Sequence, residues 1–471
     1  MNETCDLAII GAGPAGMAAA ATAARLGVET VVLDEQPSPG GQIYRAITET
    51  PVRPGTIFGD DYWRGLDLVR AFDASGATYR PASTVFSVDA RAVDGRREIG
   101  VSREGTAHLL HARHVIVATG AQERPMPIPG WTLPGVLTAG AAQILLKGAG
   151  LAPSGRTVLA GSGPLLWLLA AQMLRAGGNL AAILDTTPRM TFGLDMLSFL
   201  ASPYLSKGRA LMRETRRYLT PVDRVTGLRA EGDDRLRRVS FTDRGGAADQ
   251  IDCDTLLLHQ GVVPNVNLAM SIGCTHRWND AQLCFVPALD AWGHSDVPGV
   301  SIAGDGAGIA GAEAAAERGR LAALDAACRL GRIDEATRDR EARSPRRVLA
   351  KYGRGRAFLE RAFRPIDAHR IPSGDTLVCR CEEVSAAQVV DAVRIGGTGP
   401  NQLKAYLRCG MGPCQGRLCG LTVTELIAKA RDKTPAEIGH YRLRPPVKPI
   451  SVAELASLPR SEAEANAVAR Q

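Results

Sequence analysis

The pattern that most restricts this chain is a strand, a glycine-rich turn and a helix, written twice. In the first copy residues 6–10 read as a strand, and Gly11-Ala12-Gly13-Pro14-Ala15-Gly16 follows. An Ala-rich helix then runs toward Gly27, and Thr30 to Leu33 returns as a strand closing at Asp34. That order is a βαβ unit of an α/β protein with a parallel sheet. Gly11 permits the tight turn, Gly13 lets the backbone approach a pyrophosphate, and Gly16 lets helix and strand pack closely. The helix N-terminus supplies N–H donors and positive potential, and Asp34 falls where a ribose hydroxyl would lie. Three glycines alone would be weak evidence, but strand, helix and acid all stand where nucleotide binding needs them.

The second copy runs from Thr157 to Ala160 through Gly161-Ser162-Gly163-Pro164-Leu165-Leu166. Its helix reaches Ala176, and a strand from Leu180 to Leu184 ends at Asp185. Leu166 stands where Gly or Ala would allow tight helix–strand contact, and Asp185 comes one residue later than Asp34 does in its own unit. The architecture of a dinucleotide domain is kept, but NAD(P) binding in it is doubtful, since βαβ packing survives without a ligand. Gly261-Val262-Val263-Pro264-Asn265 closes this domain and reads as structural.

With 471 residues, 45% hydrophobic and 22% charged, the chain is long enough for two or three domains with sizeable cores. Its net charge of +7 is concentrated in the Arg-rich stretch from Arg332 to Arg370, interleaved with Asp334, Glu335, Asp339, Glu341 and Glu360. No aromatic stacking pattern accompanies these arginines, which argues against nucleic acid and for a solvated helical face or a docking surface. Acids at the N-terminus, where a signal peptide would carry Lys or Arg, predict a cytoplasmic protein. The longest apolar run, Leu165 to Leu174, is too short to cross a bilayer, so no membrane span is expected.

Between residues 35 and 252 there is no cysteine, so the first nucleotide unit has no dithiol to exchange with a disulfide. Cys5, Cys253, Cys274, Cys284 and Cys328 are scattered singly and read as inert thiols. Near the C-terminus, Cys379-x-Cys381 and Cys414-x4-Cys419 have the spacing of a metal or iron–sulfur cage. Zinc in the same four-sulfur cage is the alternative, because thiolates suit both. Ser385 looks like the N-cap of a helix from Ala386 to Ile395, stopped by Gly396-Gly397.

Gly40-Gly41-Gln42, the strand His114 to Ala118 ending in Thr119-Gly120, and the strand Val300 to Ala303 ending in Gly304-Asp305 complete a known arrangement. Over about residues 1 to 330 the chain resembles the flavoprotein reductases with two dinucleotide-binding domains, of the thioredoxin and glutathione reductase type. That resemblance implies FAD at the first site, with Asp34 on the adenosine ribose, Gly41 and Gln42 near the flavin, and Asp305 on the ribityl-pyrophosphate segment. The cofactor contacts it implies are Gly11, Gly13, Pro14, Ala15, Gly16, Asp34, Glu35, Gly41, Gln42, Thr119, Gly120, Gly304 and Asp305. Glu35 among them is expected to face solvent. The segment of about residues 376 to 430 is similar to the bacterioferritin-associated-ferredoxin type of 2Fe-2S domain, which implies Cys379, Cys381, Cys414 and Cys419 as ligands. Cys409 makes a competing Cys-x4-Cys with Cys414 but lies outside that pattern, and is taken as a neighbouring free thiol.

Taken together, the degenerate second domain, the missing redox disulfide, Cys-Arg-Cys-Glu-Glu-Val and Gly-Met-Gly-Pro-Cys-Gln-Gly-Arg resemble the A (alpha) subunits of heteromeric amino-acid and opine dehydrogenases. Octopine and nopaline oxidases, D-hydroxyproline and proline dehydrogenases and hydrogen cyanide synthase belong to that group. The resemblance implies FAD and a 2Fe-2S cluster here, and a flavin-containing B (beta) subunit, possibly with a small third subunit, that oxidises a C–N bond. Electrons would then pass to a quinone or another acceptor. Two other readings stay open, an NAD(P)H-dependent flavin reductase and a non-catalytic iron–sulfur binding or regulatory protein. The expected division is an FAD domain at 1–124 and 286–331, an inserted dinucleotide domain at 125–285, an Arg-rich connector at 332–375, a 2Fe-2S domain at 376–432 and a tail at 433–471.

Overall fold

A computed structural model describes residues 3–459 apart from 90, 92–93, 190–192, 194, 201 and 203, so residues 460–471 of the expected tail lie outside the described residues. The first sheet has seven strands. Along its path they run Thr78–Arg80, Thr30–Leu33, Glu3–Ile10, Thr106–Val117, Arg97–Arg103 and Thr84–Val88, and Val300–Ile302 pairs with Thr106–Val117 off that path. Its central pairings are parallel, from Leu7 opposite Thr30 to Ile10 opposite Leu33 and from Val300 opposite Val115 to Ile302 opposite Val117. The strands are apolar on both faces because helices cover them, as parallel sheets require. One covering layer pairs helix Pro14–Arg25 with helix Ala312–Arg329. A Cβ on Gly319 would stand 2.0 Å from the Ala15 carbonyl oxygen, so only glycine allows these helices to approach so closely.

A second, five-stranded parallel sheet has the order Val222–Asp223, Leu180–Asp185, Thr157–Gly161, Thr255–His259 and Val136–Thr138. An antiparallel layer of Thr226–Glu231, Arg238–Thr242 and Ala248–Asp252 accompanies it. Leu166, the residue that breaks the second fingerprint, is fully buried in the core of this unit beside Trp167 and Leu169. The chain enters and leaves through two antiparallel strands, Ala121–Glu123 and Val262–Pro264. The second of these strands lies in the segment Gly261 to Asn265 that the sequence marks as closing this domain. Helix Asn267–Ile272 lays Leu268, Ala269 and Ile272 against Ile10 and Val117 of the first sheet, so the inserted unit closes near residue 264.

The Arg-rich stretch forms helices Glu335–Glu341, Arg343–Gly353 and Arg356–Ala362, but much of its charge is spent inside the molecule. Arg332 pairs with Asp6, Arg338 with Asp325, Arg361 with Asp195, and Arg370 with Glu425. The stretch staples distant parts of the chain together and is not simply a solvated face.

In the C-terminal module, helix Ala386–Arg394 starts at Ser385 in a capping box with Gln388, and helices Pro400–Leu407 and Gly420–Ala430 complete a small core. Tyr441 and Leu443, beyond the expected limit at residue 432, are buried in that core. The following segment is anchored to the first domain. Val447 N–H donates to the Phe86 carbonyl at 2.8 Å, Ser102 to Glu454, and Ala107 N–H to Ser457 Oγ at 2.9 Å. Among the described residues no helix is long and apolar enough to cross a membrane.

Candidate functional site

The loops after the first-sheet strands open onto a cavity of about 820 Å³. Its walls include Gly11, Gly13, Pro14, Ala15, Asp34, Glu35, Gly41, Gln42, Thr119, Gly120, Gly304 and Asp305. Gly16 does not line it. A Cβ there would come within 1.8 Å of the Gly11 carbonyl oxygen, so its role is to let the helix start directly on the strand. Gly13 and Gly41 face each other across the floor, and a Cβ on Gly41 would meet Gly13 Cα at 2.8 Å, which leaves bare backbone where a pyrophosphate would pass.

Asp34 is 7% exposed and accepts N–H bonds from Ala12 and, at 2.7 Å, from Gln36. Burial pushes its carboxyl upward, and the two N–H donors oppose that by favouring the anion. Glu35 is exposed as expected and pairs with Lys448 at 2.5 Å. Asp305 accepts from the N–H groups of Ala310 and Gly311 at 2.8 and 3.0 Å, and so holds the turn that aims helix Ala312–Arg329 at the cavity. An anion there gains from the helix dipole, worth about 0.3–1 kcal/mol.

Several wall residues are not legible in the sequence. The second fingerprint contributes Ser162, Gly163, Pro164 and Leu165 to the same cavity, together with His259. His259 is 2% exposed, with Nδ1 2.6 Å from Glu123 Oε1, and Glu123 Oε2 also accepts the Gly140 N–H at 2.7 Å. A lone histidine at the end of a strand gives no hint of that carboxylate 136 positions away. Asp185 accepts the N–H of Thr187 at 2.9 Å, the same two-residue turn that Asp34 makes with Gln36. Lys147 is buried, donates to the Gln42 carbonyl at 3.1 Å and to Gln143 Oε1 at 3.0 Å, and burial lowers it to about 7. Its four-residue spacing from Gln143 on an otherwise apolar helix face is the available signal.

The thiol module reaches this cavity. Arg417, between Cys414 and Cys419, lines it, and its carbonyl accepts from Gln122 Nε2 at 2.7 Å. Asn267 Nδ2 donates to the Gln415 carbonyl at 2.8 Å, and Arg417 Nη1 to the Val447 carbonyl at 2.8 Å. The cysteines fall into two groups. The Sγ atoms of Cys379, Cys409 and Cys419 lie within 4.8 Å of one another and are buried, while Cys381 and Cys414 are partly exposed free thiols joined by hydrogen bonds. Cys409, which the ferredoxin resemblance leaves as a neighbouring free thiol, thus stands beside Cys379 and Cys419; the turn at Gly410 brings it there beneath the Tyr441 ring. Cys379 is held far below the usual thiol range, first by S–H donation from Cys409 and Cys419, then by the N–H groups of Gly410 and Glu382. A thiolate so supported by backbone donors suits an iron–sulfur group.

Residues 5–327 match the family described as Pyridine nucleotide-disulphide oxidoreductase, and residues 373–458 match the Sarcosine oxidase A3 domain. An opine oxidase A chain from Rhizobium meliloti is 46% identical over 475 residues, spanning 99% of this chain and 90% of the relative. The chain belongs to the opine oxidase A-chain family. Hydrogen cyanide synthase subunit HcnB of Pseudomonas aeruginosa is 32% identical, over 94% of this chain and 96% of its own. The crystal structure of L-proline dehydrogenase from P. horikoshii has the same fold, with a TM-score of 0.74 at 20% identity over 96% of this chain and 80% of that one. An opine oxidase A-type chain is one component of a multi-subunit, flavin-dependent oxidoreductase acting on C–N bonds, and its first domain implies FAD.

Proposed function

We propose that this A-type chain is the electron-transfer subunit of a heteromeric opine or amino-acid oxidase, holding FAD in the first cavity and a 2Fe-2S cluster in the C-terminal module. The substrate's C–N bond is oxidised in a partner subunit that carries its own flavin. Flavins take two electrons and can release them singly, and a 2Fe-2S cluster carries one at a time. The carrying observation is Arg417, which belongs to the loop between Cys414 and Cys419 and is also part of the cavity wall.

The chain's own residues supply binding and orientation. Asp34, through its two backbone N–H bonds, is fixed to meet a ribose hydroxyl, and Gly13 and Gly41 leave room for a pyrophosphate. Helix Ala312–Arg329 points its N-terminus into the cavity, and Lys147 fixes the Gln42 carbonyl. Gln122 and Asn267 tie the cysteine loop to the wall, so these bonds would hold a cluster in the module in a fixed position relative to a flavin in the cavity. The second domain has no nicotinamide-driven role in this reading, because Leu166 fills the helix–strand contact where Gly or Ala would stand.

An anaerobic spectral titration tests the proposal. The isolated chain keeps its flavin oxidised with NADH or NADPH, and bleaches when the flavin-containing partner is added together with an opine or amino-acid substrate. Bleaching by a nicotinamide alone would make the chain a flavin reductase.

A further inference from the structure

The cluster site contains more thiols than a 2Fe-2S cluster requires. Such a cluster takes four protein ligands, two on each iron. Five cysteines stand here, and Cys409, Cys414 and Cys419 are evenly spaced, with four residues between each pair. In space they divide into a buried trio, Cys379, Cys409 and Cys419, with all Sγ atoms within 4.8 Å of one another, and the partly exposed pair Cys381 and Cys414.

Resting on the cluster reading above, we propose that Cys409 is a reserve ligand, able to replace Cys419 on the iron that Cys379 and Cys419 hold. Four ligands drawn as two pairs place Cys379 with Cys419 and Cys381 with Cys414. Cys409 is then the surplus sulfur on the first side, within 4.8 Å of the sulfurs of both Cys379 and Cys419. Its side of the module is closed. Cys379, Cys409 and Cys419 are at most 1% exposed, and Tyr441, itself 2% exposed, covers them with its hydroxyl 3.9 Å from Cys419 Sγ. A sealed, preorganised thiol competes well for an iron because no segment has to be ordered for it to bind. The exchange is redox-neutral. One iron–sulfur bond to Cys419 breaks, one to Cys409 forms, and the proton of the Cys409 thiol passes to the released Cys419 sulfur.

Full-length Cys409→Ser, Cys419→Ser and the double variant, reconstituted anaerobically with iron and sulfide, separate the possibilities. Iron and sulfide per chain, visible circular dichroism and the electron paramagnetic resonance of the reduced cluster are read, with flavin content and far-ultraviolet dichroism reporting folding. Cys409→Ser keeps both irons with an unchanged resonance. Cys419→Ser keeps both irons with shifted g values, and the double variant loses them while retaining flavin. Should Cys419→Ser fail to fold, Cys419→Ala poses the same question, because it removes the sulfur without placing a hydroxyl in the closed pocket. Loss of iron from folded Cys419→Ser, loss from Cys409→Ser alone, or retention in the double variant overturns the proposal. Wild-type protein that takes up zinc or no metal at all would instead remove the cluster reading on which it rests.

Discussion

Gln122 Nε2 donates to the carbonyl oxygen of Arg417 at 2.7 Å, joining the wall of the nucleotide cavity to the loop that carries Cys414 and Cys419. The bond spans 295 positions of sequence and is part-buried. Replacing Gln122 by Leu leaves that carbonyl unpaired, a cost of about 1–3 kcal/mol. Chemical denaturation should show that loss. Stopped-flow mixing with substrate and partner should show slower electron passage, with flavin and iron content unchanged.

Gly16→Val should empty the first site. Its Cβ would lie 1.8 Å from the Gly11 carbonyl oxygen, which pushes the helix N-terminus away from the strand. Overpacking of this kind costs about 1–3 kcal/mol. Flavin absorbance per chain should fall sharply while iron content is preserved, since the C-terminal module has its own core.

Arg370 and Glu425 form a buried pair, with side chains 10% and 3% exposed, that ties the arginine connector to helix Gly420–Ala430. Removing one partner strands a charge and costs about 3–5 kcal/mol, whereas replacing both by apolar groups is often neutral. Glu425→Gln alone should therefore unfold at lower denaturant than Arg370→Met with Glu425→Leu, a comparison that equilibrium unfolding settles.

His114 makes stability fall in acid. It is buried against Ser301 at 2.9 Å, and burial lowers it to about 3 from an ordinary 6.5. Between those values the unfolded chain binds a proton that the folded one does not. Stability thus declines as pH drops below about 6.5 and stops declining from this source near pH 3. His114→Gln should flatten that part of the curve in denaturant titrations run at several pH values.

Lys147 acts over a higher window. Burial lowers it to about 7 from 10.5, so folding is penalised at and below pH 7, and the penalty is relieved as pH rises toward 10.5. Wild-type stability should rise relative to Lys147→Met across that interval, by about 1.4 kcal/mol per unit of depression. A flat difference between the two proteins would show that the amine is charged in the fold.

The parts of this architecture legible in the sequence are those that local chemistry dictates. Gly11 and Gly16 announce a tight strand-to-helix turn because the close backbone approach there admits no side chain, and Ser385 announces the start of a helix through its capping box. Spacing leaves Cys409 ambiguous because three equally spaced cysteines fit two overlapping pairs, and the fold shows which sulfurs lie beside it. The arginines from 332 to 370 read as surface because partners such as Asp6 and Glu425 are remote in sequence. Leu268, Ala269 and Ile272 are apolar at helical spacing, but spacing does not say which of two sheets they cover, and the fold sets them in the core of the first.

One chain holding a two-electron and a one-electron carrier together is the central claim, and an anaerobic reductive titration of the purified chain addresses it directly. Full reduction should consume three electrons per chain, two for the flavin and one for the cluster. Full reduction at two electrons, with no iron bound, would contradict it.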